Sequence, residues 1–230
     1  YIPSLDAVVI ADLHLGYEGI MAEQGVFVPK VQFEQEMRML RQILDKQKAS
    51  QIILCGDVKH EFSETSYHEF IEVTELFKFL KDRFKKVVVI KGNHDNYLIR
   101  VTRRHGVELH DYLVVNDFLF LHGHEHPPKL GTKVKHVIMG HEHPAIALWD
   151  EVGSKEKLDC FLYGKGMGKR LVVLPAFSTL AEGSQVNVIP REELLSPILR
   201  ELVEVDELEV IGVNEEVGYL KLPKLGRLRS

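Results

Sequence analysis

Short apolar runs recur along the chain, and each run is bounded by a turn residue. Runs that are rich in β-branched or aromatic residues and end in this way are typical of buried strands. They cover residues 8–10, 52–54, 87–90, 118–121 and 137–139. The pattern therefore predicts buried strands at these positions, and a short polar cluster follows each of them.

Helical spacing of apolar residues separates the first three predicted strands. One helix is predicted within about residues 30–48, with Pro29 suited to its first turn. Its apolar positions are Phe33, Met37, Leu40 and Leu44. A second helix is predicted after Ser66, which forms a capping-box pattern with Glu69. Its apolar positions are Phe70, Val73, Phe77, Leu80 and Phe84.

After Asp95 the pattern changes to short segments that predict a meander of strands. These segments cover residues 112–115, 118–121, 145–149, 159–163, 171–174 and 186–189. The tail from about residue 191 predicts one short helix and two strands, at residues 208–213 and 218–222. Two helical crossovers followed by meandering strands predict an α/β fold with two packed β-sheets flanked by helices.

Length and composition are those of an ordinary globular protein, with 230 residues that are 45% hydrophobic and 27% charged. One domain is predicted over residues 1–230, with a motif core at 6–190 and an extension at 191–230. No stretch approaches the roughly 18 apolar residues of a membrane span, and no signal-peptide pattern is present. We therefore expect a soluble cytoplasmic protein without membrane contact. Cys55 and Cys160 are expected to be free thiols.

The polar clusters at the predicted strand ends carry the candidate chemistry. In chain order they are Asp12-Leu-His14, Gly56-Asp57, Gly92-Asn93-His94-Asp95, His122-Gly123-His124 and Gly140-His141-Glu142-His143. Side chains two apart in an extended chain point to the same side, so Asp12 can converge with His14, and His141 with His143. Carboxylate, imidazole and amide donors suit Mn, Fe or Zn better than a soft metal. A carboxylate such as Asp57 can bridge two ions about 3.5–4 Å apart.

Each cluster taken alone also has a purely structural interpretation. An isolated Asp-x-His sequence, or a single histidine beside an apolar run, is more often a turn or a satisfied core histidine than a metal ligand. Several such clusters in a fixed order at strand ends favour a two-metal site. The histidines outside this context are His68, His105, His110 and His136.

The order of the clusters resembles the calcineurin-like metallophosphoesterase superfamily, from Asp12 to about His143. The resemblance implies a four-layer αββα sandwich with a dinuclear centre at its edge. It implies that one ion is bound by Asp12, His14, Asp57 and His143, and the other by Asp57, Asn93, His122 and His141. It also implies in-line attack by a metal-bound hydroxide, with His94 as the catalytic imidazole. Two divalent ions are expected as cofactors, with Mn favoured and with Fe, Zn and Ni as alternatives.

Longer phrases narrow the resemblance to the archaeal and bacterial SbcD-like or ICC-like phosphoesterases, which include ligase-associated DNA repair endonucleases. The phrases cover residues 11–18, 56–62 and 174–183, and Val186-Asn187 follows the last of them. The resemblance therefore implies a phosphodiester substrate in DNA and association with DNA repair proteins. It also implies a homodimer.

The remaining histidines near the clusters, and Asp95, have less specific predicted roles. His60 stands three residues after Asp57, where many superfamily members carry Asp, Asn or Arg, and it is predicted to face substrate or to be a structural histidine. The letters of residues 123–127 repeat those of residues 140–144. The second copy is assigned as the paired-histidine motif, which leaves His122 as a separate ligand. His124 and Asp95 are then predicted to support the ligands, and His126 to be a plain surface residue.

Charge gives mixed information about the substrate. The net charge of −5 and a pI near 6.2 argue against a large electrostatic footprint for nucleic acid. Two bound ions would add about +4 locally, so the objection is weak. Basic clusters are typical of solvated surface or of nucleic-acid contacts; they are Arg100, Arg103, Arg104, Lys165, Lys169, Arg170, Lys221, Lys224, Arg227 and Arg229. The alternative functions are a phosphodiesterase or phosphomonoesterase for a nucleotide or metabolite, and a non-catalytic interaction module.

Overall fold

The computed structural model describes residues 1–62, 66–149, 152–214 and 218–229. The chain divides into two compact units. The N-terminal unit comprises Tyr1–Asp111 together with Phe177–Ala181. The C-terminal unit comprises Tyr112–Ala176 and Glu182–Ser230.

The N-terminal unit contains, within its described residues, a four-stranded parallel sheet in the order β1-β2-β3-β4. The strands are β1 (Ala7–Ile10), β2 (Gln51–Cys55), β3 (Lys86–Ile90) and β4 (Glu108–His110). The helices are α1 (Tyr17–Glu23), α2 (Gln32–Lys46), α3 (Tyr67–Arg83) and α4 (Ile99–His105). Because the strands are parallel, the loops that leave β1, β2 and β3 start at the same edge of the sheet.

The two long helices of this unit cover the sheet as their apolar spacing predicts. Leu40 of α2 and Phe77 of α3 are buried in one core with the strand residues Ile52 and Val89. The capping box at Ser66 is confirmed, since its side chain accepts from the N–H of Glu69 and the Glu69 carboxylate accepts from the N–H of Ser66. The short elements α1, α4 and β4 were not predicted, because segments of three to seven residues carry too little periodicity.

The predicted role of Pro29 in the first turn of α2 is wrong. The helix begins at Gln32, and Pro29 lies in the loop before it. A tertiary contact sets this start, because the carboxylate of Glu18 on α1 accepts from the backbone N–H groups of Val31 and Gln32 at 2.8 and 3.0 Å. A carboxylate on these donors stabilises the helix start as a local cap would.

The C-terminal unit contains, in its described part, a nine-stranded sheet in the order β11-β8-β9-β10-β7-β6-β5, and β12 pairs with β9 and β13. Its strands are β5 (Tyr112–Val115), β6 (Phe118–Leu121), β7 (His136–Met139), β8 (Pro144–Trp149), β9 (Lys155–Gly166), β10 (Lys169–Val173), β11 (Ser184–Gln185), β12 (Glu209–Asn214) and β13 (Gly218–Leu222). The helix α5 spans Pro197–Leu202. Strands β6 and β7 are parallel neighbours, so the loops after them also start at one edge.

The tail agrees with its predicted helix and two strands, and it is part of the core of the C-terminal unit. Ile198 of α5, Val210 of β12 and Leu225 are buried in one cluster with Val137 and Leu171. Neither Cys55 nor Cys160 forms a disulfide, as predicted, and both side chains are buried. Burial raises the pKa of each thiol. In the part of the chain that the structure describes, no helix is long and apolar enough to cross a membrane.

The predicted strand at residues 186–189 is wrong, because this segment is a turn. The N–H groups of Val188 and Ile189 both donate to the carbonyl of Gln185. The buried side chain of Asn187 accepts from the N–H of Ala147 at 2.9 Å and donates to its carbonyl at 3.0 Å. The side chain of Asn187 therefore makes the two hydrogen bonds to Ala147 of β8 that the backbone of a neighbouring strand would make. The backbone of residues 186–189 is not needed for this pairing and forms a turn.

Candidate metal centre

Two carboxylates and an imidazole of the N-terminal unit converge beside its sheet. Asp12 and His14 lie in the loop after β1, and Asp57 lies in the loop after β2. Each offers a ligand atom within 4.8 Å of those of the other two, and all three residues are buried. The Nε2 atom of His14 is 3.8 Å from Oδ2 of Asp57. This donor set fits a hard or borderline divalent ion.

The backbone at most of the predicted ligands lies in the left-handed region, which side chains disfavour. Nine non-glycine residues among those described have positive φ, and five of these are predicted ligands: Asp12, His14, Asp57, His141 and His143. Each such conformation costs about 1–3 kcal/mol and persists only where the surroundings impose it. Strain concentrated at these residues indicates loops that are held in place to aim side chains.

Hydrogen bonds between neighbouring loops impose this conformation in the N-terminal unit. The N–H of Asp12 donates to the carbonyl of Gly56 at 3.0 Å, and that of His14 donates to the carbonyl of Asp57 at 2.9 Å. A Cβ added at Gly92 would lie 2.1 Å from Oδ1 of Asp57 and 2.4 Å from its backbone nitrogen. Glycine is therefore required at position 92, because a side chain would displace the Asp57 carboxylate.

A buried polar network with no local signature in the sequence supports the loop after β1. The side-chain amide of Gln32 donates to the carbonyls of Leu13 and His14, both at 3.1 Å. The same nitrogen is 2.8 Å from Oε1 of Glu36 and 3.0 Å from Oγ of Ser178. Burial raises the pKa of Glu36 to about 8, so this carboxyl group is protonated near neutral pH. The strained backbone at His14 is therefore stabilised by the uncharged side chains of Gln32 and Glu36.

The predicted catalytic histidine, His94, faces the same carboxylate as His14. Its backbone N–H donates to Oδ1 of Asp57 at 2.9 Å, and its Nε2 atom is 3.9 Å from Oδ2 of Asp57. Its other ring nitrogen, Nδ1, contacts the carbonyl oxygen of His60. An N–H at Nδ1 that donates to this carbonyl fixes the orientation of the ring. Nε2 is therefore the ring atom presented to the Asp12, His14 and Asp57 cluster.

Asp95 joins the loop after β2 to the loop after β3. This buried carboxylate accepts from the backbone N–H groups of Val58 at 2.9 Å and Lys59 at 3.3 Å. Its second oxygen accepts from the N–H of Gly92 at 2.9 Å. Three backbone donors on one carboxylate fix the positions of Asp57 and His94 relative to each other, which is the geometry expected of a supporting residue.

His60 lies against the ring of a predicted ligand. Its Nδ1 atom is 3.4 Å from Nδ1 of His14, and its ring centroid is 4.0 Å from that of Tyr17 and 5.4 Å from that of His94. Burial lowers the pKa of His60 to about 4, and the neighbouring His94 adds to the effect, so the ring is neutral at pH 7. A neutral imidazole here can orient His14, while its predicted contact with substrate stays a prediction.

The C-terminal unit brings together a second group of predicted residues. His122 follows β6 and His141 follows β7, and their ligand atoms lie within 4.8 Å of each other. The ring of His124 lies 5.2 Å from that of His122 and 6.0 Å from that of His141. Gly123 has φ +114, and a Cβ there would lie 2.6 Å from the Met139 side chain. This histidine turn therefore also requires a glycine.

Glu142 anchors the paired-histidine loop, a role that no sequence motif indicated. Its buried carboxyl group accepts from the N–H groups of Leu195 at 3.1 Å and Ser196 at 2.8 Å. Burial raises the pKa of Glu142. The hydroxyl of Ser196 donates in turn to the carbonyl of Gly123 at 2.7 Å. The start of α5 therefore contacts both histidine loops. Side chains alternate in an extended chain, so Glu142 must point away from His141 and His143, and this alternation is the signal that could have indicated its anchoring role.

Replacing Glu142 with alanine is expected to loosen the paired-histidine loop. The change leaves the buried N–H of Ser196 and the partly buried N–H of Leu195 without their acceptor, and the buried donor alone costs about 1–3 kcal/mol of the free energy of unfolding. Loss of a partner that orients a metal ligand typically costs about 10–100-fold in metal affinity. Urea unfolding and Mn titration measure the two effects. Glu201→Ala on the exposed face of α5 is the control, and an unchanged Mn affinity in Glu142→Ala would show that the loop does not depend on this anchor.

Two remaining residues lie where the sequence placed them. Asn93 is in the turn between β3 and α4, and its carbonyl accepts from Nδ2 of Asn96 at 3.3 Å. His126 is exposed, and its Nε2 atom is 2.9 Å from Oε2 of Glu201 on α5. The exposure of His126 fits its prediction as a plain surface residue, and the assignment of residues 140–144 as the paired-histidine motif stays a prediction.

An α/β fold with carboxylate and histidine clusters at strand ends is the arrangement expected of a metal-dependent hydrolase. The family model described as calcineurin-like phosphoesterase matches residues 6–145, which is more than half of the chain. The chain belongs to this family, and the protein is therefore a metal-dependent phosphoesterase. No curated protein matches the sequence.

Comparison with solved structures confirms the predicted fold class of two sheets with flanking helices. The structure of nuclease MPE from Pseudomonas putida has a TM-score of 0.62 and 21% identity, and the match covers 92% of this chain and 86% of that one. A phosphoesterase from E. coli, Yfce, matches with a TM-score of 0.45 and 11% identity over 94% of this chain and 99% of that one. A protein of unknown function from Aquifex aeolicus matches with a TM-score of 0.40 and 18% identity over 64% of this chain and 81% of that one.

Proposed function

We propose that this protein hydrolyses phosphodiester bonds in DNA, as an endonuclease or phosphodiesterase. The observation that carries the proposal is the arrangement in the N-terminal unit, where His94 presents Nε2 toward the carboxylate shared with His14. Membership of the calcineurin-like phosphoesterases supports hydrolysis of a phosphate ester. The nuclease among the similar structures favours a nucleic acid substrate, and the phrase-level resemblance to DNA repair endonucleases favours DNA.

The ligands proposed for two divalent ions come from the family resemblance. Asp12, His14, Asp57 and His143 are assigned to one ion. Asp57, Asn93, His122 and His141 are assigned to the other. The carboxylate and imidazole donors in each unit, and the strained backbone at five of these residues, support the assignment. A donor set without thiolate fits Mn, Fe, Zn or Ni, and the proposal takes Mn as the first choice, as the family resemblance implies.

The chemistry of the site divides between the ions and the side chains. Divalent ions, when bound, supply positive charge to phosphoryl oxygens and lower the pKa of water to about 7. His94 holds a proton at Nε2 and delivers it to the oxygen that leaves phosphorus, because its Nδ1 is engaged with the carbonyl of His60. Asp95 keeps His94 at a fixed distance from Asp57 through its three backbone hydrogen bonds. Each of these residues therefore positions a proton or a ligand before substrate binds.

The wider organisation belongs to the same proposal. Residues 1–230 act as one metallophosphoesterase domain, in which 191–230 is an extension that stabilises the histidine loops. Association with DNA repair proteins and formation of a homodimer follow from the resemblance.

Hydrolysis assays with Mn-reconstituted protein test the proposal. We expect cleavage of bis-p-nitrophenyl phosphate and of DNA that exceeds hydrolysis of p-nitrophenyl phosphate, and that is lost after metal removal. DNA cleavage at low substrate should also fall as salt rises, because phosphate-backbone binding releases counterions. Activity confined to small esters and insensitive to salt would instead indicate a nucleotide or metabolite phosphoesterase. No activity with any divalent metal would favour the interaction module.

A further inference from the structure

An exposed aromatic ring lies directly on the proposed catalytic histidine. The ring centroid of Phe62 is 3.7 Å from that of His94, with 33° between the planes. Phe62 nevertheless remains 54% exposed, so only part of the ring is covered by its contacts in the fold. Other large apolar side chains of this protein are also exposed, and Phe62 differs from them because its ring packs on the proposed catalytic imidazole.

A second exposed aromatic residue follows His94 in a conformation that disfavours it. Tyr97 has φ +66 and is 48% exposed. Glycine or asparagine would adopt this backbone at lower cost, and a bulky side chain there is a genuine outlier. Strain of this kind clusters at functional sites, where the side chain itself is needed. The guanidinium of Arg100 lies 5.8 Å from the Tyr97 ring centroid and adds a positive charge beside it.

Asn96 ties the two aromatic segments to one another. Its Nδ2 atom donates to the carbonyl of Phe62 and to the carbonyl of Asn93, both at 3.3 Å. The backbones that carry Phe62 and His94 are therefore held together, with Tyr97 next to Asn96 in the chain. Phe62 on the ring of His94, and Tyr97 beside Arg100, are therefore carried by two segments that Asn96 connects.

We propose that Phe62 and Tyr97 form a nucleobase-stacking subsite, in which a base next to the scissile phosphodiester packs on Phe62 while Arg100 faces a neighbouring phosphate. This inference rests on the proposed function, and it makes unpaired nucleotides the preferred substrate of the enzyme. Aromatic side chains bind every base through its π-face, so the subsite confers preference for nucleotides without a sequence code. A duplex keeps its bases stacked inside, so a single-stranded or frayed segment is the form that fits.

A paired-substrate experiment tests the subsite. The substrates are a single strand of thymidine nucleotides and a strand of equal length in which every base is replaced by an abasic tetrahydrofuran unit. We expect the wild type to prefer the thymidine strand in kcat/KM by about tenfold or more, as alanine substitution of stacking aromatics implies. Phe62→Ala should abolish most of that preference, because kcat/KM should fall much more on the thymidine strand than on the abasic strand.

Further variants separate stacking from structural support of His94. Phe62→Tyr should retain the preference. Tyr97→Asn should weaken the preference and leave the melting temperature unchanged or higher, because asparagine tolerates positive φ. Tyr219→Ala on β13, an exposed tyrosine outside this surface, is the matched control. Quenching of 2-aminopurine in a phosphorothioate strand, which resists cleavage, should occur with the wild type and decline in Phe62→Ala.

The outcomes distinguish the subsite from the proposed function. If Phe62→Ala slows both strands equally, the ring only supports His94 and the stacking subsite is wrong, although the nuclease assignment stands. If the wild type cleaves both strands equally well, the subsite is also wrong. If the wild type hydrolyses small esters but cleaves neither the thymidine strand nor the abasic strand, then both the proposed DNA substrate and the stacking subsite are wrong.

Discussion

Substitution of His94 by alanine is expected to lower kcat on bis-p-nitrophenyl phosphate by about 10²–10⁴-fold while both metal ions are retained. The proposed role of His94 is proton transfer from Nε2, and the residue is not among the assigned ligands. Its backbone N–H to Asp57 survives the substitution, so the carboxylate keeps this hydrogen bond. Turnover measured beside metal content by mass spectrometry shows whether chemistry and binding separate in this way.

Two controls separate loss of the proton donor from a general effect of removing a histidine. His126→Ala removes an exposed histidine that pairs with Glu201, and it should leave kcat within about twofold. Added imidazole should restore part of the turnover of His94→Ala if a missing proton donor is the cause. Loss of metal from His94→Ala, with no rescue by imidazole, would assign the residue to metal binding and contradict its catalytic role.

Local patterns predicted much of the fold and most of the positions of the site. A β-branched run such as residues 87–90 is typical of a buried strand. The helices between such runs are indicated by the spacing of their apolar residues, and the second of them also by the cap at Ser66. The polar clusters could be placed at strand ends because they follow these runs directly. The parallel order of β1, β2 and β3 then brings Asp12, Asp57 and His94 to one edge of their sheet.

Long-range polar contacts could not be predicted in the same way. Ser178 is 146 residues from Gln32 in the chain, yet their side chains meet at 3.0 Å under the loop after β1. The N–H of Ser178 also donates to the carbonyl of Asp12 at 3.0 Å. The phrase at residues 174–183 could be matched to relatives, but its physical role depends on tertiary structure alone. The structural roles of Glu142 and Asn187 could not be predicted for the same reason, because nothing local shows which backbone groups a buried side chain will meet.

Backbone strain adds a test of the site that sequence patterns cannot supply. The assigned ligands Asp12, His14 and Asp57 are held in left-handed conformations by hydrogen bonds between their loops. Glycine adopts this backbone at the lowest cost, and aspartate and histidine adopt it more readily than most side chains. Their occurrence at all three positions is consistent with donor chemistry that offsets a cost of about 1–3 kcal/mol at each position.

The largest effect on metal binding is expected from Asp57→Asn. Asp57 is buried, its Oδ2 atom lies 3.8 Å from Nε2 of His14, and it is the proposed bridge between the two ions. Asparagine has nearly the same shape and tolerates the positive φ at this position, so the substitution removes the charge and changes the backbone little. An amide offers one oxygen donor without negative charge, so both ions should lose affinity together.

Mn titration by calorimetry and metal content after dialysis measure this loss. We expect both sites to weaken by more than the roughly 10–100-fold seen when only an orienting partner is removed. The melting temperature of the metal-free variant should stay the same or rise, because a charge buried within 4.8 Å of an Asp12 oxygen is neutralised. Asp82→Asn on the exposed face of α3 is the matched control. If Asp57→Asn retains one ion at wild-type affinity, Asp57 binds a single ion, and the bridge must be sought in another residue.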